Sequence, residues 1–99
     1  MPQFGSPFSG LTSGTKLSHA ELVRAIRFMV AAEYEATQMY VQLAESIDHP
    51  LAIKVLRDIA DKERVHAGEF LRLLHELAPE EAALYAKGAR EVEEMRVDK

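Results

Sequence analysis

The amino-acid sequence predicts an all-α fold, in which an antiparallel two-helix hairpin and a short third helix complete a four-helix bundle by dimerisation. Three observations lead to this prediction. Apolar residues recur in steps of four and three along two stretches, a spacing typical of helices that pack side by side. Asp48, His49 and Pro50 form a turn signal between the two stretches. Carboxylate and imidazole side chains interrupt both stretches at similar distances from that turn.

Residues 1–17 are expected to form a flexible N-terminal arm. They are rich in Gly, Ser, Pro and Thr and show no hydrophobic periodicity. Phe4 and Phe8 are the large anchors in this arm, and their alternative role is to dock onto a neighbouring subunit. We expect the helical domain over 18–95 and a frayed tail over 96–99.

Helix 1 is predicted to run from Ser18 to about Ile47. Ser18 and Glu21 have the three-residue spacing of a capping box, which starts a helix. One carboxylate, that of Glu33, stands where the pattern calls for an apolar side chain. The positions of this first seam are Leu22, Ile26, Met29, Glu33, Ala36, Tyr40, Leu43 and Ile47.

Helix 2 is predicted over 50–77 and helix 3 over 79–95, and each begins at a proline, which suits the first position of a helix. Glu63 and His66 take two successive seam positions in helix 2, three residues apart and therefore on one helical face. The positions of this second seam are Ala52, Leu56, Ile59, Glu63, His66, Phe70, Leu73 and Leu77.

The interrupting side chains are expected to meet in space. Glu33 precedes the turn by about 15 residues, and Glu63 and His66 follow it by about 14 to 18, so at about 1.5 Å per residue all three lie at one height in an antiparallel hairpin. A single Glu or His in a seam is usually structural, fixing register or making a hydrogen bond. No seam position supplies a Lys or Arg, however, so two carboxylates would be buried beside one imidazole. Burying two like charges close together costs free energy, and a bound divalent metal removes that cost. We therefore predict a metal site.

The ligand set favours iron or manganese, because structural zinc sites use Cys or more His. Di-metal four-helix bundles take one Glu from each of two helices and a Glu-x-x-His pair from each of the other two. This chain holds half of that set in Glu33, Glu63 and His66. A second copy supplies the other half, so the dimer is expected to be obligatory. Tyr40 is either a residue beside the metals or a core aromatic side chain.

The composition narrows the classes of protein to which the chain can belong. Its 99 residues make one small domain. The sequence has no Cys, which excludes disulfides, thiolate metal sites and iron–sulfur clusters and indicates a cytoplasmic setting. A net charge of −4 without a basic stripe argues against nucleic acid as a partner. The apolar runs are too short to cross a membrane, so no membrane partner is expected.

Two segments of the sequence resemble the encapsulin-associated ferritin-like proteins, or encapsulated ferritins. The first segment is residues 32–35 together with Tyr40, and the second is residues 63–70. The whole resemblance covers residues 18–95 and includes the Pro-Glu-Glu start of helix 3. It is strongest toward the ferritin-like domain fused to some archaeal encapsulin shells. The resemblance implies Glu33, Glu63 and His66 as metal ligands and Tyr40 beside the site. It also implies that Glu35 lies on the route of arriving iron, while Ala32 replaces a second glutamate of that route. Glu69 is expected to be an outer acceptor or cation site.

The resemblance implies a ferroxidase that oxidises Fe(II) to Fe(III), with dioxygen or peroxide as oxidant, at a di-iron site shared between two subunits. It further implies decameric rings of five dimers and an encapsulin shell protein as partner, with iron stored inside a cytoplasmic encapsulin nanocompartment. Mn, Zn or Ca is expected to be able to replace iron in a crystal. Two alternatives stay open: a rubrerythrin-like di-iron peroxidase, and a non-catalytic helical assembly or cargo module.

Overall fold

The computed structural model describes residues 16–97, which form three helices in chain order. These are α1 (His19–Glu45), α2 (Pro50–Leu77) and α3 (Pro79–Val97). The all-α prediction is confirmed, since the described residues contain no strand. Helix 1 ends two residues before the predicted Ile47, and helix 3 continues two residues past the predicted Met95. Most of the predicted N-terminal arm, 1–15, and the last two residues of the predicted tail lie outside the described residues.

Local hydrogen bonds explain where the first two helices begin. The Ser18 hydroxyl accepts from the backbone N–H of Glu21 at 3.2 Å, and the Glu21 carboxylate accepts from the backbone N–H of Ser18 at 2.8 Å. This is the predicted capping box. At the start of α2, Nδ1 of His49 accepts from the backbone N–H of Ala52 at 3.2 Å, with Pro50 in the first helical turn.

The buried core lies beside the two predicted seams rather than along them. Ile26 is the one seam residue that is buried, while Leu22, Leu43 and Leu73 are exposed. Most of the other seam residues are half-buried, so the seam is incompletely covered within one chain. The buried apolar residues are Val23, Ala25, Ile26, Val30, Ala44, Ala60, Ala67, Leu74 and Ala78.

The small side chains of this core explain the difference. Ala60, Ala67 and Leu74 recur every seven residues on α2, which keeps them on one helical face. Alanines at an interface let two helix backbones approach closely, so α1 and α2 close on that edge of a broad apolar stripe. The other edge, which carries the predicted seam, is only partly covered within the chain. In the described part of the chain, no helix has the length and hydropathy to cross a membrane.

Helix α3 is attached to the hairpin through a polar junction at its first turns. Arg27 of α1 donates from Nε and Nη2 to the Glu81 carboxylate at 3.0 and 2.5 Å, and the Tyr85 hydroxyl donates to the same carboxylate. The ring of Tyr85 also contacts that of His75, with centroids 5.7 Å apart. Nearby, His19 Nε2 donates to the Leu77 carbonyl at 2.9 Å. These contacts join the start of α1, the end of α2 and the start of α3.

The Arg27–Glu81 pair should make the unfolding of this chain sensitive to acid. The hydrogen bond from Arg27 is the largest cause that lowers the pKa of Glu81 from 4.5 to about 2, with the Tyr85 hydroxyl second. A lowered carboxyl pKa contributes stability above the ordinary pKa, and that contribution is lost as pH falls through the folded-state value. We therefore expect Glu81→Gln to lower the melting temperature at about pH 6, and the difference from the parent to vanish toward about pH 2. Thermal unfolding followed by circular dichroism at each pH measures this difference in melting temperature. Glu80→Gln, at the exposed neighbouring residue, is the matched control and should show no such pH-dependent difference.

Candidate metal centre

The three predicted ligands meet between α1 and α2. Glu33 lies in the middle of α1, and Glu63 and His66 lie one turn apart on α2. Each of them offers one ligand atom such that these atoms all lie within 4.8 Å of one another. The antiparallel packing of the two helices brings the residues together at the height that the sequence predicts. The grouping predicted from the interrupted seams is thus present in the structure.

The cluster is buried on one side and open on the other. The side chains of Glu33 and Glu63 are 16% and 19% exposed, whereas that of His66 is 51% exposed. Nδ1 of His66 lies 3.4 Å from Oε1 of Glu63 and 3.7 Å from Oε2 of Glu33. The longer separation exceeds the range of a hydrogen bond. The imidazole therefore sits at the open edge of the cluster, beside two mostly buried carboxylates.

One oxygen of Glu33 is buried without a hydrogen-bond partner. This atom is Oε2, the one that faces His66. The pKa of Glu33 is raised, chiefly because its carboxyl group and that of Glu63 can share a proton. Burial and the charge of Glu63 raise this pKa further, because both disfavour ionisation, whereas the charge of His66 lowers it. A buried carboxylate oxygen without a donor is costly, and a bound cation or proton relieves that cost.

The residues present fit a divalent metal with oxygen and nitrogen ligands. Two carboxylates and one imidazole, converging within 4.8 Å, form the donor set that suits iron or manganese. Residues 16–97 of one chain offer three ligand side chains here, and ferritin-like di-metal sites use four Glu and two His. The open side at His66 is where further ligands could approach.

The other predicted site residues lie outside this cluster. Tyr40 is half-buried two turns along α1, and Glu35 and Glu69 are exposed. None of them belongs to a group of metal-binding side chains found within 16–97. Their roles therefore stay predictions.

Sequence reasoning missed the polar junction of α3. His19 joins two helix ends, and Nε2 of His75 is buried without a hydrogen-bond partner. The sequence places Glu81 in the Pro-Glu-Glu start of helix 3 and gives it no partner. Its partner Arg27 lies 54 residues away, and no local pattern links the two residues.

Comparisons with known proteins find a matching family model and related proteins. The family model described as rubrerythrin matches residues 22–98. The encapsulin nanocompartment cargo protein EncC of Myxococcus xanthus strain DK1622 is 38% identical over 91 residues, which are 92% of this chain and 68% of that protein. Both similarities cover the segment that carries Glu33, Glu63 and His66.

Two further similarities involve Pyrococcus furiosus. Its ferritin-like-encapsulin shell fusion protein is 36% identical over 75 residues, which are 76% of this chain but only 22% of the fusion protein. The crystal structure of the encapsulated ferritin domain from Pyrococcus furiosus matches with a TM-score of 0.80 and 33% identity, covering 87% of this chain and 89% of that one. The likeness to that solved structure confirms the fold class.

Proposed function

Because the chain belongs to the rubrerythrin family and, within it, to the encapsulin-associated ferritin-like proteins, we propose that it oxidises Fe(II) to Fe(III) at a di-iron site shared between two subunits. The observation that carries the proposal is the convergence of Glu33, Glu63 and His66 within 4.8 Å. Carboxylate oxygens with one imidazole suit iron in both oxidation states and leave coordination positions free for an oxidant.

Iron is the substrate in this proposal. Two Fe(II) ions each give one electron to one dioxygen molecule, which takes up two protons and leaves as hydrogen peroxide. If peroxide is the oxidant, two Fe(II) ions and two protons convert it to two water molecules. The ligand residues of the protein hold the two iron ions side by side, where one oxidant molecule can reach both. The negative charge of the carboxylates stabilises the bound iron ions.

The residues of the cluster have distinct proposed roles. The unpartnered Oε2 of Glu33 binds the metal, which favours the ionised form of a carboxyl group whose pKa is raised in the metal-free chain. Glu63 and His66 complete the ligand set from α2. Tyr40 is proposed to lie beside the site in the assembled protein, and Glu35, which is exposed, to receive arriving iron.

A second copy of the chain completes the site. The described chain buries only nine apolar residues and leaves much of its predicted seam uncovered. The half-exposed His66 marks the open side of the cluster. Pairing two hairpins on this side gives four helices, four Glu and two His, the full di-iron set. We propose this dimer as the unit of activity.

The proposed setting is the interior of an encapsulin nanocompartment in the cytoplasm. EncC is by name an encapsulin cargo protein, and the Pyrococcus furiosus relative is by name fused to a shell. By analogy we propose that this chain works beside a shell protein, as rings of five dimers, and delivers ferric iron for storage. An alternative is peroxide reduction by the same site, which the match to the rubrerythrin model favours.

Iron-dependent oxygen consumption tests the activity. Fe(II) added to the purified protein should give rapid oxygen uptake, with two Fe(II) ions oxidised per dioxygen and peroxide released. Uptake no faster than in buffer would contradict the ferroxidase proposal and favour a non-catalytic module. If peroxide and an external reductant instead turn over faster than Fe(II) and dioxygen, the peroxidase alternative is correct.

A further inference from the structure

Only one aliphatic hydroxyl group lies inside a helix within residues 16–97. The Ser and Thr residues of this range are Ser18, Thr37 and Ser46. Ser18 and Ser46 cap the two ends of α1, whereas Thr37 stands in the interior of that helix. Ser and Thr are favoured at helix ends and less favoured inside helices, because their hydroxyl groups compete for backbone hydrogen bonds. Helix formation alone therefore does not explain the hydroxyl at residue 37.

This hydroxyl is bonded to the backbone of a candidate ligand. Oγ1 of Thr37 donates to the carbonyl oxygen of Glu33, one helical turn earlier, at 2.8 Å. In a regular helix the same carbonyl oxygen accepts from the backbone N–H of residue 37. A second donor on one carbonyl shifts the local backbone and often bends the helix. The hydrogen bond thus acts on the peptide group that follows the Glu33 Cα atom.

Glu33 depends on its own backbone for its position more than the other two candidate ligands do. Glu63 and His66 belong to one helix and lie close enough to support each other, with Oε1 and Nδ1 3.4 Å apart. Glu33 is the one member of the cluster that α1 supplies, and its Oε2 is buried without a hydrogen-bond partner. No donor holds this oxygen in place, so the direction of the carboxylate follows from the local backbone and the side-chain torsions.

The packing beside Thr37 does little to fix this part of α1. Thr37 is half-buried and lines an open groove of about 400 Å³. On α2 the lining of the groove includes Ala67 and Gly68, and a Cβ atom built at Gly68 meets nothing within 4 Å. Small side chains beside open space offer few contact atoms that could hold the facing helix in one position. A hydrogen bond within α1 can supply that constraint instead.

We infer that Thr37 is a positioning residue for the metal centre. Its hydroxyl fixes the backbone at Glu33 and thereby places the Glu33 carboxylate opposite the two ligands of α2. This inference rests on the proposed metal site, and it goes beyond that site because Thr37 itself offers no ligand to the metal. Ligand side chains must be held within about 0.5 Å of their productive geometry, and hydrogen bonds outside the ligand set are a usual means of holding them.

The alternative is a hydroxyl that only satisfies its own hydrogen bond. In that case a residue without the hydroxyl should serve equally well at position 37, provided that the helix is kept. Valine keeps the branched shape of threonine, and alanine favours helix. Thr37→Val and Thr37→Ala therefore separate the two explanations, and Thr37→Ser restores the hydroxyl without the methyl group.

Metal binding by the full chain tests the inference. We expect Thr37→Val to bind Mn²⁺ about tenfold more weakly than the parent in calorimetric titration, the lower end of the loss seen when an outer partner of a metal ligand is removed. Thr37→Ser should bind within about threefold of the parent, because it can make the same hydrogen bond. The absorption spectrum of bound Co²⁺, which reports ligand geometry, should change in Thr37→Val and return in Thr37→Ser. The melting temperature should not fall with the affinity, since valine and threonine have similar helix propensities.

Ser46→Ala is the matched control. It removes a hydrogen bond of the same kind, from Oγ of Ser46 to the carbonyl oxygen of Gln42 at 2.7 Å, at the end of α1 and outside the metal cluster. This variant should keep the Mn²⁺ affinity and the Co²⁺ spectrum of the parent. If valine at position 37 prevents folding, Thr37→Ala decides the test.

The outcomes are distinct. Parent affinity in the variants without the hydroxyl overturns the inference, as does an equal loss in Thr37→Ser or a loss that only accompanies loss of helix. A parent chain that binds no Mn²⁺ overturns it together with the metal site. A parent chain that binds metal but does not oxidise Fe(II) overturns only the proposed function, because the comparison at position 37 is made on binding alone.

Discussion

Replacing Glu33, Glu63 or His66 with alanine should each abolish stoichiometric iron binding and rapid iron oxidation. Each residue supplies one of the three converging ligand atoms, and no nearby described side chain of the cluster replaces it. We expect metal affinity to fall by more than about a hundredfold, since even the outer partners of metal ligands contribute 10- to 100-fold. Calorimetric titration with Mn²⁺ and stopped-flow oxidation of Fe(II) measure the two losses.

The fold should survive these substitutions. None of the three side chains belongs to the buried apolar core, and alanine favours helix. Glu33→Ala also removes a buried oxygen without a partner, so the metal-free variant should melt no lower than the parent. Circular dichroism of each variant checks that the helices are retained when activity is lost.

Glu35→Ala and Glu69→Ala are the matched controls. Both residues are exposed carboxylates on the same two helices and outside the cluster. They should keep stoichiometric binding, and Glu35→Ala should at most slow the arrival of iron. If His66→Ala oxidised Fe(II) at the parent rate, the metal site would have to lie elsewhere in the protein.

The sequence predicts the clustering of the three candidate ligands because these residues interrupt a periodic pattern of apolar side chains. Glu33, Glu63 and His66 stand where helix packing calls for apolar side chains, and a short turn fixes the two helices in antiparallel register. Ligand height then follows from residue counting alone. The helix start at Ser18 is equally local, because a capping box depends on four consecutive residues.

The hairpin core could not be predicted from the same pattern. Periodicity identifies a broad apolar stripe but does not say which edge packs within the chain and which edge stays open. The edge with small residues, such as Ala60 and Ala67, closes the hairpin. The junction of Arg27 with Glu81 lies beyond sequence reasoning for a different reason, since the two residues are 54 positions apart.

Metal binding should control association of the chain, and pH should control association without metal. The metal-free dimer would bring four carboxylates together, and within one chain the pKa of Glu33 is already raised, chiefly by its shared proton with Glu63. A raised folded-state carboxyl pKa contributes stability that is present at low pH and is lost as pH rises through that value. We therefore expect the metal-free dimer to weaken from mildly acidic toward alkaline pH.

Added Fe²⁺ under nitrogen, or Mn²⁺, should reverse this dissociation. A metal that binds only the associated state stabilises it by about 2.7 kcal/mol per site at a hundredfold excess over its Kd, so each bound metal should tighten association about a hundredfold. Sedimentation velocity across pH, with and without metal, measures the shift. Glu33→Gln is the informative variant: because its amide has no charge to lose, its association should vary less with pH and should not respond to metal. A metal-free oligomer equally stable at every pH, and indifferent to Mn²⁺, would instead assign Glu33, Glu63 and His66 a purely structural role.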